Sequence, residues 1–223
     1  MEGRLLVLLE GNIGAGKSTL GATLKKSGLF EFVPEPVEQW RTGFASNLLD
    51  DFYANQKRWA FTFQQVAFAT RAKTWQEVSV LTDHRRVVLE RSIYADRYVF
   101  AQNAYSNGAM TEAEWQIYRH LWDWMEENWC TRPDRILYLR TPAAECWRRL
   151  KGRGRSEEQA IPVAYLKQLE VLHDQWLLNR PKGEVVVLDG ERRWTAKQVA
   201  YLLGIKTDPA SPSRALGVVP QPV

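Results

Sequence analysis

The sequence predicts an α/β fold: a five-stranded parallel sheet flanked on both faces by helices. Two observations carry that expectation. Five short apolar runs rich in β-branched residues recur along the 223 residues, separated by stretches of helical character. The first of them passes directly into Gly11-Asn12-Ile13-Gly14-Ala15-Gly16-Lys17-Ser18, the G-x-x-x-x-G-K-S pattern of a phosphate-binding loop. Runs this continuously apolar suit strands covered on both faces, as parallel strands are.

The first run is Leu5–Leu9. Glycines at 11, 14 and 16 then let the backbone turn sharply and present N–H groups to phosphate oxygens. Lys17 supplies a mobile charge for the β- and γ-phosphates, the Ser18 hydroxyl can ligate Mg²⁺, and the helix that follows adds its positive dipole end. A glycine-rich turn that binds nothing is the bland reading. Eight matching positions, with a strand before them and a helix after, favour a nucleoside triphosphate bound with Mg²⁺.

The second run, Phe30–Val33, is stopped by Pro34. Glu35 follows, between Pro34 and Pro36, and so has little backbone freedom. A carboxylate fixed in this way at a strand end suits a general base. Arg86–Glu90 is the third run, and its last residue opens the cluster Glu90-Arg91-Ser92, with Asp96 and Arg97 close behind. Phosphoryl transfer calls for charge stabilisation rather than covalent chemistry. A carboxylate such as Glu90 can hold Mg²⁺, and an arginine such as Arg91 can bridge donor and acceptor. Strand-end ligands gather at the carboxyl edge of such a sheet, where all these residues are expected.

Thr111–Trp129 reads as a helix with Trp115, Tyr118, Trp122, Met125 and Trp129 on one face. That stripe is either a subunit interface or a core face. The fourth run, Arg135–Leu139, is followed by a helix beginning near Pro142. This helix runs into Arg148-Arg149-Leu150-Lys151-Gly152-Arg153-Gly154-Arg155, whose cations repel one another unless an anion joins them. A mobile, arginine-rich lid over a triphosphate fits, with glycines as hinges. Glu184–Leu188 is the fifth run. From Thr207 the chain is Pro/Ser/Ala-rich without periodicity, so the expected division is a domain over 1–206 and a disordered tail over 207–223.

Composition narrows the partners. A net charge of +4 fits a site for polyphosphates better than a nucleic-acid surface, since no aromatic–basic motif accompanies it. Cys130 and Cys146 lack metal-ligand spacing, and His84, His120 and His173 are scattered. No apolar run is long enough to cross a bilayer, and a strand beginning by about residue 4 leaves no room for a targeting peptide. The expectation is a cytoplasmic protein with neither nucleic acid nor membrane as partner.

Five ordered segments resemble the deoxynucleoside kinases. They are Gly11–Thr19; Pro34-Glu35-Pro36-Val37 with Trp40; Arg58–Gln64; Glu90–Tyr98; and Arg153–Gln159. The resemblance runs from the first strand to about residue 180. It implies the P-loop kinase fold, a homodimer, and Mg²⁺ with ATP or another triphosphate as phosphoryl donor. It further implies that Glu35 takes the 5′-hydroxyl proton, that Arg91 steadies the transferring group, and that Glu90 and Ser18 hold the metal. Gly11, Asn12, Ile13, Gly14, Ala15, Gly16, Lys17, Ser18 and Thr19, with Arg149, Arg153 and Arg155 of the lid, would bind ATP. Gln64 would pair with the base edge, Tyr53 and Glu158 would hold the sugar 3′-hydroxyl, and Trp40, Phe63 and Phe100 would wall the base. Arg71 and Asp96, with Ala67, match members that act on deoxycytidine and purine deoxynucleosides; thymidine-preferring members carry Met- and Ala-like residues at the first two positions. The chain departs from the family in its richness in Trp, a short connection around Thr42–Asp51 and the tail. Two rival readings are a nucleoside monophosphate kinase of the thymidylate type and a non-catalytic nucleotide-binding scaffold. The first needs a further basic cluster after the second strand, and the second has no use for both Glu35 and Arg91.

Overall fold

β1 (Leu5–Glu10) is apolar at every position but its last and lies at the centre of a sheet ordered β2-β3-β1-β4-β5, with every pairing parallel. The structure, a computed structural model, describes residues 4–81 and 86–206, without the side chains of residues 79–81 and 156. His84 and the expected tail over 207–223 lie outside the described residues. The chain order is β1, α1 (Lys17–Lys26), β2 (Glu31–Val33), α2 (Val37–Thr42), α3 (Leu48–Ala54), α4 (Gln56–Leu81), β3 (Arg86–Glu90) and a short turn α5 (Ile93–Ala95). A π-helical turn, Asp96–Phe100, leads into α6 (Ala101–Ser106). α7 (Glu112–Trp129), β4 (Arg135–Arg140), α8 (Ala143–Arg153), a 3₁₀ turn (Ser156–Glu158), α9 (Val163–Leu177), β5 (Val185–Asp189) and α10 (Ala196–Leu202) complete it. All five expected strands are present, with ends shifted by one residue at most.

Successive side chains of a strand point to opposite faces, so an apolar strand feeds two cores. Leu6, Leu8, Val87, Leu89, Ile136 and Tyr138 pack on one face against α2, α3, α4, α6 and α7. Val7, Leu9, Val88, Leu137 and Leu139 pack on the other against α1, α8, α9 and α10. The register Leu9↔Glu90 and Glu10↔Tyr138 then aligns the carboxyl ends of the three central strands. The phosphate loop, Glu35 and Arg91 all emerge from that one edge. No helix among the described residues is long and apolar enough to cross a membrane.

The aromatic stripe of α7 resolves in favour of the core. Thr111 caps the helix in a reciprocal capping box with Glu114, which fixes its start. Trp115, Tyr118 and Trp122 are buried, Met125 is half-buried against the same core, and only Trp129 is exposed, edge-on to Trp124. Trp115 stacks between Tyr105 and Tyr118 at centroid distances of 4.9 and 5.9 Å. Trp122 Nε1 donates to Ile93 O at 2.9 Å, which satisfies the indole's one donor and ties α7 to the turn after β3.

A test of this assignment is Trp122→Ala. Truncating a buried indole that also holds a hydrogen bond should cost about 3–5 kcal/mol of stability. Denaturant unfolding should show a lower midpoint. A midpoint unchanged from wild type would return Trp122 to the surface.

Candidate active site

The carboxyl edge of the sheet opens into a cleft of about 600 Å³. Its first wall is the loop between β1 and α1. Gly11 (φ 149°) and Gly14 (φ 78°) take conformations that side-chain-bearing residues rarely adopt, and a Cβ on either would lie 2.6 Å from a backbone oxygen, that of Leu139 or Cys146. Ile13, Gly14, Gly16, Lys17, Ser18 and Thr19 line the cleft; Gly11, Asn12 and Ala15 do not. Asn12 instead braces the loop: Nδ2 donates to Leu166 O at 2.8 Å and Oδ1 accepts from Ile13 N at 2.8 Å. Lys17 Nζ donates to the carbonyls of Gly11 and Asn12 at 3.0 and 2.9 Å. Burial first, and then nearby Arg91, lower its pKa to about 8.

Glu35 lies where the two prolines put it, on the cleft, and receives two arginines. Arg91 Nε is 3.0 Å from its Oε1, and Arg71 Nη2 donates to the same oxygen. Burial alone would raise this carboxyl. Arg91, Arg71 and Lys17 together outweigh burial and hold it at about 2. Arg71 donates through its other terminal nitrogen to Asp96 Oδ1 and lies over the Trp40 ring, 4.7 Å from the centroid. Arg71 and Asp96 therefore meet, as the sequence suggests. That Arg71 also grips Glu35 was not visible in the sequence, because the three residues stand 36 and 25 positions apart.

Gln64 and Arg71 are two turns apart on α4 and both line the cleft, with Ala67 between them. Gln64 is buried, and its Oε1 has no hydrogen-bond partner among the described residues. Trp40 packs edge-on to Phe63 at 5.5 Å. The π-helical turn carries Asp96 and Phe100 to the same cleft, and Arg91 Cζ lies 4.5 Å from the Phe100 ring centroid. A widened turn of this kind is not readable from local composition. Phe52, Leu49 and Val37 also line the cleft and were missed by the sequence reading. Phe52 stacks on Phe63 at 4.9 Å. The signal was available in part, since Phe52 precedes Tyr53 on a helix whose neighbours were already implicated.

Ser18 Oγ donates to Glu90 Oε1 at 2.9 Å, so the two residues expected to hold Mg²⁺ stand side by side. Among the described residues no group of three or more His, Cys, Asp or Glu could hold a metal. One hydroxyl and one carboxylate suit Mg²⁺, which keeps several waters and takes phosphate oxygens rather than a full protein cage. A further buried carboxylate, Glu10, accepts a hydrogen bond from Ser92 Oγ. Burial raises Glu10 against the opposing pull of Arg91 and the Ser92 hydrogen bond, to about 7.

In the cationic segment the four arginines are joined by acids of the chain itself, and Lys151 donates to the Gln159 carbonyl. Arg148 and Arg149 bond Glu145, and Arg153 and Arg155 bond Glu158. Arg149 is a brace between elements: Nη1 donates to Ala15 O at 2.8 Å and Nη2 to Gly190 O at 2.9 Å. Arg149, Arg153, Arg155 and Glu158 line the cleft, whereas Arg148 and Lys151 do not. Gly154, at φ 71°, ends α8 in the left-handed conformation, and Gly152 lies in the last turn of the helix. Tyr53 lines the cleft near Glu158 and stands edge-on to Tyr165, 6.5 Å away.

Comparison with known proteins adds the following. A family model described as deoxynucleoside kinase matches residues 7–201. A probable deoxycytidine kinase of fowlpox virus is 39% identical over 188 residues, covering 84% of this chain and 77% of the relative. Deoxycytidine kinase of Mus musculus is 40% identical over 199 residues, covering 78% and 75%. Mitochondrial thymidine kinase 2 of Homo sapiens is 34% identical over 183 residues, covering 79% and 66%.

The Glu35 contacts make a prediction about acid stability. A carboxyl held near 2 in the fold and near 4.5 when unfolded adds stability that is complete above pH 4.5 and disappears as pH falls toward 2. Thermal unfolding of the wild type should therefore fall away over that interval, and Glu35→Gln, which does not titrate, should fall less steeply. Equal slopes would mean that Arg71 and Arg91 do not hold the carboxylate in solution.

Proposed function

The chain belongs to the deoxynucleoside kinase family, and we propose that it moves the γ-phosphoryl group of ATP to the 5′-hydroxyl of deoxycytidine or a purine deoxynucleoside in preference to thymidine. As a deoxynucleoside kinase it is a phosphotransferase, and the monophosphate-kinase and scaffold readings give way. The observation that carries the proposal is the convergence of Glu35, Arg91 and the Ser18–Glu90 pair on one cleft that the Arg71–Asp96 pair also lines.

In this reading the loop from Gly11 to Thr19 cradles the triphosphate with backbone N–H groups, and Lys17 adds charge beside it. Ser18 and Glu90 would hold Mg²⁺, which neutralises charge on the β- and γ-phosphate oxygens when bound. The nucleoside base lies among Trp40, Phe63 and Phe100, with the Gln64 amide on its edge. Tyr53 and Glu158 orient the sugar, and Arg153 and Arg155 close toward the phosphates from the side. Glu35 accepts the 5′-hydroxyl proton as the oxygen bonds to the γ-phosphorus and the bond to the β-phosphate oxygen breaks. Arg91 spreads its charge over the equatorial oxygens at that moment. As Arg91 turns toward those oxygens it draws positive charge away from Glu35, and the carboxylate becomes a better proton acceptor.

The division into a kinase domain over 1–206 and a tail beyond it, a homodimeric assembly and a cytoplasmic location belong to the same reading. With Trp115, Tyr118 and Trp122 taken up by the core, the dimer surface is sought elsewhere than on that stripe.

Two measurements test the proposal. Glu35→Gln should lower kcat by about 10²–10⁴-fold with substrate binding largely retained, the usual loss for a positioned base. An unchanged kcat with a raised KM would reassign Glu35 to binding.

Competition between thymidine and deoxycytidine tests the pocket. Discrimination at the scale of a methyl group is about 10–200-fold. Wild-type enzyme should favour deoxycytidine, and Arg71→Met with Asp96→Ala should shift the ratio toward thymidine. Asp96→Ala alone should chiefly damage the enzyme, because it strands part of a buried charge network. A double variant with unaltered selectivity would sink this account.

A further inference from the structure

Glu10 ends β1, and the mechanism above gives it no part. Its side chain is fully buried, and so is that of Ser92, whose hydroxyl donates to Glu10 Oε1. The same Ser92 oxygen accepts from Tyr94 N at 3.2 Å and so caps the turn α5. Glu10 Oε2 has no hydrogen-bond partner among the described residues. The link through Ser92 is thus the hydrogen bond by which this buried carboxyl is held.

What that link holds is the turn bearing Arg91. Arg91 stands at φ 62°, the one non-glycine residue with positive φ among the described residues. A side-chain-bearing residue persists in the left-handed region only where its surroundings over-determine it. Two attachments, both to β1, do so here. Arg91 N donates to Leu9 O at 3.0 Å, continuing the strand pairing one step past Glu90. One residue further along each strand, Ser92 is tied to Glu10. With the backbone so fixed, the guanidinium crosses the cleft between the Phe100 ring and Glu35.

We propose that Glu10 is a positioning residue for Arg91: through Ser92 it holds the Glu90-Arg91-Ser92 turn in the conformation that aims the guanidinium at the site of transfer. An apolar side chain at position 10 would leave the buried Ser92 hydroxyl without its acceptor, and the turn would lose one of its two ties to β1. The inference rests on the reading of Arg91 as the group that steadies the transferring phosphoryl.

The test is steady-state kinetics with deoxycytidine, ATP and Mg²⁺, alongside thermal unfolding, on Glu10→Ala, Ser92→Ala, the double variant, Glu10→Gln and Arg91→Ala. Glu10→Ala and Ser92→Ala should each lower kcat by roughly 10²-fold, the loss that a misplacement of about 1 Å can bring, with both KM values little changed. The double variant should be no worse than either single, since both cut one link. Glu10→Gln, whose amide oxygen can still accept from Ser92, should recover most of kcat even if its unfolding temperature falls. Additive losses, or a Gln variant as impaired as Ala, overturn the proposal. So does wild-type kcat in Glu10→Ala beside a crippled Arg91→Ala, an outcome that leaves the reading of Arg91 standing. Wild-type kcat in Arg91→Ala would instead remove that reading, and this one with it. Should Glu10→Ala not fold, Ser92→Ala against Glu10→Gln makes the same comparison.

Discussion

Buried charge must be compensated where it stands, and the cleft is organised by that requirement. Arg71, Arg91, Glu35 and Asp96 are taken largely out of water where the ends of β2 and β3 meet the middle of α4 and the π-helical turn. A buried ion left without its partner costs roughly 3–5 kcal/mol, a large fraction of a domain's stability. Each therefore fixes the others. α4 lies where Arg71 can reach both Asp96 and Glu35, and the π-helical turn lies where Asp96 can answer it. The apolar sheet supplies the stability that permits such an arrangement; its two cores leave only the strand ends free for polar work.

How much of this was legible depended on distance along the chain. The phosphate loop, the proline-flanked Glu35 and Glu90-Arg91-Ser92 are contiguous, and their chemistry is written in neighbouring residues. The five strands were legible because a strand buried on both faces needs an unbroken apolar run. The partners of the cationic segment were within reach and were overlooked: Glu145 precedes Arg148 and Arg149 by three and four positions, the spacing at which helical side chains meet. Phe52 stacking on Phe63, Arg149 bracing the phosphate loop and the Arg71–Glu35 contact were out of reach. They join segments that only the tertiary fold brings together.

The α7 stripe shows a different limit. Helical spacing of Trp115, Tyr118 and Trp122 establishes that one face is apolar, but not what covers it. The answer came from Trp122 Nε1, which finds its acceptor at Ile93 O in the turn after β3. A buried indole needs such an acceptor. The stripe thus belongs to the same turn that carries Arg91, and the aromatic core and the catalytic edge are mechanically continuous through residues 91–94.

Arg71 then constrains how selectivity and catalysis can vary. It closes the pocket with Asp96 on one side and lowers the Glu35 carboxyl on the other. Replacing Arg71 to admit a larger base edge also withdraws one of the cations that keep Glu35 ionised and in place. The remaining cations are Lys17 and Arg91, and the proposed mechanism gives Arg91 to the phosphoryl group. Under the proposed mechanism, selectivity changes made at Arg71 therefore alter proton transfer for every base. Changes made at Ala67 or Phe52, which line the cleft without entering the charge network, are the ones that can alter base preference while leaving the chemistry alone. The separation follows from the geometry. One face of the pocket is built from ions that are shared with the reaction, the other from apolar side chains that are not.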